Sequence, residues 1–232
     1  MSTATKQERS LKFKSPLELV TFVDDEILSG EMKLHKWQAQ IMTDFAKPSN
    51  DKDPFRSVVR AANGSGKDKY IIAPCAVWLG TVFDDSLCII TSASGNQLDR
   101  QTDRYIQQLM NGINRLFDQQ IWKINYRHYT NMLNGSTIEL FATDEPGRAE
   151  GWHPAVANGQ FGIFVSEAKS ISDDIFTALA RCTGFTKRID VSSPGLPDGH
   201  FYNACVGNSW KQYHVTAFDC PHLSEDYIND IR

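Results

Sequence analysis

The stretch "RAANGSGKDKY", Arg60 to Tyr70, carries the strongest indication of the fold. It resembles the phosphate-binding loop G-x-x-x-x-G-K-[S/T], in which backbone N–H groups surround a phosphate and a lysine reaches the terminal phosphates. Two positions depart from that pattern. Ala61 replaces the first glycine, and Asp68 stands where a hydroxyl should help to hold magnesium. Such a short string can also be a surface turn, so its neighbours are needed to interpret it.

The neighbours favour a nucleotide-binding loop. The preceding "FRSVVRAA" is typical of a short buried strand, and the segment from Lys67 to Leu79 is predicted to be helical, with a kink at Pro74. A loop between a buried strand and a helix N-terminus directs several amides and the positive end of the helix dipole at one point. The residues predicted to contact phosphate are Asn63, Gly64, Ser65, Gly66 and Lys67.

The second half of such a site is an apolar strand that ends in Asp-Glu, where Asp helps to hold magnesium and Glu orients the attacking water. Downstream of the loop the best candidate is "GIFVSEA". It places Glu167 in the water-orienting position, but Ser166 stands where the aspartate belongs. The predicted catalytic groups are therefore Lys67 and Glu167.

The two departures are complementary, since an acid occupies the hydroxyl position at Asp68 and a hydroxyl occupies the acid position at Ser166. Magnesium requires oxygen ligands in octahedral order, whichever strand supplies them. We therefore hypothesise that Asp68 and Ser166 have exchanged roles and hold the metal directly or through water. In the competing interpretation Asp68 repels the phosphates, because like charges about 4 Å apart interact by roughly 4 kcal/mol at an effective dielectric near 20.

The rest of the chain alternates predicted strands with helices, which indicates an α/β fold with a three-layer, mostly parallel sheet. Between Ile121 and Thr143 the pattern changes to short alternating strands, and Asn134-Gly135 predicts a β-hairpin insert. Upstream, Ser15, Pro16 and Glu18 form a capping box that predicts a helix from Pro16 to about Leu28.

Composition excludes several classes of protein. The formal net charge of -4, from 24 basic and 28 acidic side chains, argues against a protein that coats nucleic acid through general positive charge. Five scattered cysteines favour reduced thiols over a disulfide framework. The uncharged, apolar run Tyr70 to Phe83 is shorter than the roughly 20 residues of a membrane span. We therefore predict no membrane segment.

These motifs together resemble the large terminase subunit of tailed bacteriophages, over roughly Leu34 to Leu223. "LHKWQAQ" is similar to the family's adenine motif, which implies that Gln38 reads the base and Trp37 packs nearby, although a Trp-Gln pair in a helix can equally be core and surface. "IITSASGNQLDRQ" resembles the strand and polar loop that follow the phosphate helix in the family.

Two further segments carry the resemblance. "TDEPGRAEGWHP" is similar to the segment that presents an arginine to a neighbouring subunit's nucleotide, which makes Arg148 the candidate arginine finger or, alternatively, a solvated loop residue. "DVSSPGLPDGHFY" resembles the coupling motif, in which Ser192 and Ser193 would sense the γ-phosphate. The same serines can also be a capped strand end. Asn63 stands where the family often has an arginine inside the phosphate loop.

The resemblance implies a RecA-like P-loop NTPase of the ASCE division that uses ATP and Mg²⁺ to drive double-stranded viral DNA into a procapsid in the host cytoplasm. Its implied partners are duplex DNA, further copies of itself in a ring on the capsid, the portal protein and the small terminase subunit. The predicted domains are a helical extension (1–33), the ATPase domain (34–219) and the start of a linker (220–232). No later acidic cluster could hold nuclease metals, so we expect no DNA cleavage.

Three alternatives compete with this interpretation. A hydrolysis-deficient, nucleotide-binding assembly scaffold would follow if Asp68 disables the site. A helicase-like translocase would need a second RecA-like domain, which 232 residues cannot hold. A small-molecule kinase would need an acceptor site and a lid, and no segment suggests either.

Overall fold

The computed structural model describes residues 12–28, 34–143, 146–154, 156–157 and 159–230. The predicted N-terminal extension and C-terminal linker therefore fall partly outside the described residues. Within the described residues, eight strands form one sheet in the order β3-β4-β5-β2-β6-β7-β1-β8. The strands are β1 Phe55–Ala61, β2 Leu87–Ser92, β3 Trp122–Asn125, β4 His128–Asn131, β5 Thr137–Ala142, β6 Phe161–Ser166, β7 Lys187–Ser192 and β8 Lys211–Val215.

The sheet is mostly parallel, as predicted. Strand β1 pairs in parallel with β7 and β8, β2 pairs in parallel with β5 and β6, and β6 pairs in parallel with β7. Because the carboxyl ends of these strands lie at the same edge, the loops after β1, β6 and β7 converge there. These are the loops that carry the predicted site.

The antiparallel pairs lie at one end of the sheet, in the predicted hairpin insert. The insert contains one strand more than the sequence predicted. The stretch "IWKINYRHYTNML" forms both β3 and β4, with Arg127 at φ 56° in the turn between them. Asn134-Gly135 lies in the next connection, between β4 and β5, and Gly135 has the positive φ that favours glycine there.

The α-helices longer than one turn are α1 Pro16–Val23, α2 Lys36–Phe45, α3 Ala73–Val82, α4 Arg104–Phe117, α5 Asp173–Leu179, α6 Gly199–Val206 and α7 Glu225–Asp230. They cover both faces of the sheet. Val58 and Val59 are adjacent in β1 but belong to different hydrophobic clusters, because side chains alternate across a strand. Helices α1 to α4 contribute to the cluster of Val59, and α5 and α6 to that of Val58, so the predicted three layers are confirmed.

The helix predicted after the phosphate loop begins as a π-helical segment, Asp68–Ile72, and becomes α-helical as α3. Pro74, at the start of α3, has no N–H to donate to the preceding turn, so the α-helical pattern cannot run unbroken through it. The helix predicted from Gln97 to Leu116 is likewise interrupted, since Leu98–Asp103 is π-helical before α4. Such bulges are rare and frequently lie at functional sites.

Helix α1 begins as the capping box predicts, with the Ser15 side chain accepting from the Glu18 N–H at 3.2 Å. Its apolar face is buried: Leu19 and Val20 are each 0% exposed and join the same cluster as α3 and α4. The N-terminal helix therefore packs into the core of the sheet domain. No helix within the described ranges is both long and apolar enough to cross a membrane.

Candidate nucleotide site

The glycine-rich loop leaves the carboxyl end of β1 and enters the π-helical start of the next helix. The Ala62 N–H donates to the Val215 carbonyl at 3.0 Å, which ties the loop to β8. Gly64 and Gly66 have φ of 74° and 77°, values that a side chain would strain. A Cβ at Gly66 would also lie 2.6 Å from the Tyr70 ring. Glycine is therefore required by this turn.

The loop forms one wall of a cavity of about 930 Å³, which is large enough for a nucleotide. The cavity is lined by four of the predicted phosphate-contacting residues and by residues from other segments: His35, Asn63, Gly64, Gly66, Lys67, Asp68, Lys69, Tyr70, Gln101, Arg104, Tyr105, Glu167, Pro221 and His222. The fifth predicted phosphate-contacting residue, Ser65, belongs to the same loop but is buried, at 1% exposed.

The two predicted catalytic groups meet in this cavity. Lys67 Nζ lies 2.8 Å from Glu167 Oε1, with the side chains 8% and 13% exposed. Glu167 follows β6 directly and has φ 50°, a left-handed conformation that is uncommon outside glycine. Residues held in sparsely populated backbone regions cluster at active sites. No sequence signal indicated this conformation, because it results from the connection after β6.

Asp68 and Ser166, the two exchanged positions, are in direct contact. Ser166 Oγ donates to Asp68 Oδ1 at 2.5 Å, although the residues are 98 positions apart in the chain. The same carboxylate oxygen accepts a hydrogen bond from Thr102 Oγ1 at 2.7 Å. No motif pointed to Thr102, because its hydroxyl reaches the site only through the packing of its π-helical segment against that of Asp68.

The donor set of this cluster fits magnesium. A carboxylate and hydroxyl oxygens are the hard ligands that magnesium prefers, and magnesium commonly takes only one or two protein ligands beside the phosphates of a substrate. Among the residues that the structure describes, no group of three or more His, Cys, Asp or Glu side chains could hold a metal ion. If Asp68 and Ser166 hold the metal, bound phosphates and water would supply the remaining ligands.

The residues of the predicted adenine motif contact the loop and the segment before α2. Gln38 is fully buried; its side-chain Nε2 donates to the Ser65 carbonyl at 3.1 Å, and its Oε1 accepts from the His35 N–H at 2.8 Å. The NH₂ group and the carbonyl oxygen of the Gln38 side chain thus each form a hydrogen bond within the protein. The half-buried Trp37 ring stacks on His35 with 6.5 Å between ring centroids.

Two histidines that sequence reasoning missed border the cavity beside the loop. His222 Nε2 donates to the Gly64 carbonyl at 2.8 Å, and its Nδ1 lies 2.9 Å from His35 Nε2. Burial, and secondarily the charge of His222, lowers the pKa of His35 below its usual value. The pair joins the segment before α2 to the segment after β8, a pairing that only the tertiary structure brings about.

The predicted coupling serines lie at the end of β7, next to the Glu167 loop. Ser192 Oγ is 3.4 Å from Glu167 Oε2 and also accepts from the Lys169 N–H at 3.3 Å. Ser193 Oγ accepts from Lys169 Nζ at 2.7 Å. The connection after β6 and the one after β7 are therefore joined by side-chain hydrogen bonds.

Arg148, the predicted arginine finger, lies elsewhere. It ends the short 3₁₀ helix Pro146–Arg148, is exposed, and its carbonyl accepts from Trp152 Nε1 at 2.9 Å. It is not one of the residues that line the cavity around Lys67. The structure therefore does not bring Arg148 together with Lys67 and Glu167 of the same chain.

No protein-family model and no curated protein matches the sequence. Solved structures do match. The large terminase from a thermophilic bacteriophage, in complex with ADP, superimposes with a TM-score of 0.66 and 15% identity, covering 86% of this chain and 49% of that one. The Thermus phage P74-26 large terminase ATPase domain gives 0.61 and 14%, covering 85% and 87%. The HK97 bacteriophage large terminase gives 0.58 and 12%, covering 79% and 39%.

The chain spans about half the length of the thermophilic phage's large terminase, at 49%, and most of the separate P74-26 ATPase domain, at 87%. Sequence identities of 12% to 15% with these proteins, at TM-scores of 0.58 to 0.66, show a shared fold. The chain therefore has the RecA-like fold of the ATPase domain of phage large terminases.

Proposed function

We propose that this chain is a magnesium-dependent ATPase and the motor domain of a phage large terminase. The observation that carries the proposal is the meeting of Lys67 and Glu167 at 2.8 Å, beside the Asp68–Ser166 contact, in a cavity walled by the glycine-rich loop. A phosphate-binding lysine, a carboxylate that can orient water and oxygen ligands for a cation are the parts that phosphoryl transfer to water requires.

Each part has a separate role in the proposed reaction. The loop amides and Lys67 bind the β- and γ-phosphates of ATP. Asp68 and Ser166 would hold magnesium, which would offset the negative charge of the phosphates and of Asp68 itself. Glu167 orients the water that attacks the γ-phosphate and accepts its proton.

The Lys67–Glu167 ion pair implies that the steps of this reaction follow a fixed sequence, in which phosphate binds before Glu167 can act. While the two groups neutralise each other, neither is available for chemistry. A phosphate that binds Lys67 competes for its charge and so releases Glu167 to hold water. Ser192, at 3.4 Å from Glu167 Oε2, would then report the change to the coupling segment and its Lys169–Ser193 contact.

The motor function is proposed from the shared fold. Structures of the thermophilic phage's large terminase include complexes with ADP and with ATP-gamma-S. For this chain we propose that hydrolysis moves double-stranded DNA into a procapsid in the host cytoplasm, within a ring of copies that docks on the portal protein and works with the small terminase subunit. The exposed Arg148 would complete the nucleotide site of a neighbouring copy.

A hydrolysis-deficient nucleotide-binding scaffold is the second candidate. It is favoured by one observation, the carboxylate of Asp68 at the edge of the phosphate cavity, where it would repel phosphates unless a cation intervenes. The two candidates differ in turnover.

The deciding experiment is ATP hydrolysis by the purified chain at high concentration, with and without magnesium and duplex DNA, in wild type, Lys67→Ala and Glu167→Gln. We expect both variants to lose at least about 100-fold in turnover, the usual contribution of a positioned base or charge. Glu167→Gln should retain nucleotide binding. Glu139→Gln is the matched control, because Glu139, on β5, contacts His128 of β4 and does not line the cavity.

Turnover that is magnesium-dependent and lost in both variants would support the ATPase. Binding without turnover at any protein or DNA concentration would contradict it and favour the scaffold. Turnover that survives in Glu167→Gln would contradict the role given to that carboxylate.

A further inference from the structure

Asp68 is held by two hydroxyl groups that approach from different elements. Ser166 Oγ donates to it from the end of β6 at 2.5 Å, and Thr102 Oγ1 donates from the segment before α4 at 2.7 Å. Both hydrogen bonds go to Oδ1, so neither hydroxyl engages Oδ2. All three side chains are nearly buried: Thr102 is 0%, Ser166 1% and Asp68 7% exposed.

Asp68 and Thr102 lie in two π-helical segments, Asp68–Ile72 and Leu98–Asp103, which contact each other. A π-bulge shifts the side chains that follow it relative to a regular α-helix. The hydrogen bond of Thr102 to Asp68 therefore joins two places where the helices on this face of the sheet depart from regular geometry.

The segment that carries Thr102 is anchored independently of the nucleotide loop. On one side of Thr102, Arg127 Nε and Nη2 bind the Asp99 carboxylate at 2.8 and 2.9 Å. On the other side, the Tyr129 hydroxyl donates to Asp103 Oδ1. Both partners belong to the β-hairpin insert, so the hairpin fixes the position from which Thr102 reaches Asp68.

We propose that Thr102 is a positioning residue for the metal–nucleotide complex, which orients the Asp68 carboxylate so that its second oxygen faces the phosphate cavity. The inference rests on the proposed function. It explains how an aspartate can occupy a hydroxyl position: two neutral donors hold its rotamer by binding Oδ1, and neither of them competes for the second oxygen. Thr102 acts through Asp68 and does not itself touch the substrate.

The test compares Thr102→Val, which keeps the shape and removes the hydroxyl, with Thr102→Ser, which keeps the hydroxyl. ADP binding is measured in EDTA and then as magnesium chloride is added. We expect Thr102→Val to bind ADP in EDTA within about twofold of wild type but to need roughly 10-fold to 100-fold more magnesium for the same gain in affinity, as is usual when a partner of a metal ligand is removed. Thr102→Ser should restore the wild-type magnesium response.

Thr81→Val is the matched control, because Thr81 is also buried and donates to a carbonyl, that of Val77, at 2.6 Å in α3. It should leave the magnesium response unchanged, although it costs stability. If Thr102→Val responds to magnesium as wild type does, or if Thr102→Ser does not restore the response, the positioning role is overturned while the ATPase stands. If wild-type ADP binding does not respond to magnesium at all, the proposed metal site fails, and the role of Thr102 fails with it.

Discussion

Asp68 and Ser166 show how far single residues could be understood from the sequence. Their departure from the usual pattern was visible in the motif, and its complementarity suggested that they share one site. Only the structure shows their contact, with the Ser166 hydroxyl 2.5 Å from the Asp68 carboxylate. A lone carboxylate in the loop would be unfavourable beside phosphates, whereas a carboxylate with a hydroxyl partner preserves the usual ligand types.

Exchanging the two residues tests this interpretation. We expect Asp68→Thr and Ser166→Asp each to lower magnesium-dependent ATP hydrolysis by at least about tenfold, because the first removes the carboxylate of the pair and the second places two carboxylates together, which disfavours their charged forms. The double variant restores one hydroxyl and one carboxylate in the usual positions. Its turnover should recover to within a few-fold of wild type, as measured in a steady-state phosphate-release assay.

Wild type, the two single variants and the double variant form a double-mutant cycle. The cycle gives the interaction energy between positions 68 and 166. If the single variants are unimpaired and the double variant is no better than either, the exchange hypothesis is wrong. Melting temperatures of all four proteins provide the control for folding.

The residues that sequence reasoning missed have a common physical feature. Thr102 lies 34 positions from Asp68, and His222 lies 187 positions from His35, and neither belongs to a local pattern. A hydroxyl or an imidazole in a helix or loop is compatible with many structures. Their contacts depend on how the helices and the C-terminal segment pack, and packing leaves no periodic signal in one sequence.

At the scale of elements, buried strands and the loop between β1 and its helix were predictable, while helix regularity was not. The π-helical segments of the described chain occupy stretches that looked like continuous helices. Apolar residues on each side of a bulge still fit helical spacing, so a short periodic pattern does not reveal the bulge. Similarly, β3 and β4 looked like one strand, because the Arg127 turn contains neither glycine nor proline.

Gly80 in α3 provides a prediction at this scale. A Cβ there would lie 2.6 Å from Trp122 Cη2, and Trp122 is fully buried. We expect Gly80→Ala to lower the free energy of unfolding by about 1–3 kcal/mol through overpacking, despite a helix-propensity gain of up to about 1 kcal/mol. Urea denaturation measures the change.

The same substitution in a Trp122→Phe background is the control, because the smaller ring should relieve the contact and reduce the cost of the added methyl group. A Gly80→Ala protein more stable than wild type would show that helix propensity outweighs the packing of α3 against β3.

At the scale of the whole molecule, segments near both ends of the described chain contact the glycine-rich loop or the hydrophobic cluster beside it. Helix α1 buries Leu19 and Val20 in the cluster beneath α3, and His222 binds the Gly64 carbonyl. The segment that was predicted to be an N-terminal extension thus shares its core with the sheet domain.

The His35–His222 contact makes stability depend on pH. Burial, then the charge of His222, lowers the pKa of His35 in the folded state, so as pH falls below about 6.5 the unfolded chain takes up a proton more readily than the folded one. The free energy of unfolding should therefore fall on acidification. His35→Gln cannot be protonated and should flatten this decline in urea titrations between about pH 7.5 and 5.5.

His153→Gln is the control. The His153 side chain is exposed, and its Nδ1 lies 3.1 Å from the carbonyl oxygen of the next residue, Pro154. It should keep the wild-type slope. A His35→Gln protein with the wild-type pH dependence would contradict the role of this pair.

Local patterns in the sequence were sufficient for the class of fold, the position of the glycine-rich loop, the choice of Lys67 and Glu167 as candidate catalytic groups and the complementarity of Asp68 with Ser166. These follow from strand and helix periodicity, glycines at a turn and charged groups at the end of an apolar run. Tertiary packing was needed for the Lys67–Glu167 ion pair, the second hydroxyl donor Thr102 and the anchoring of the loop by His222. Those contacts join segments far apart in the chain, and their free energy arises only when packing brings the segments together.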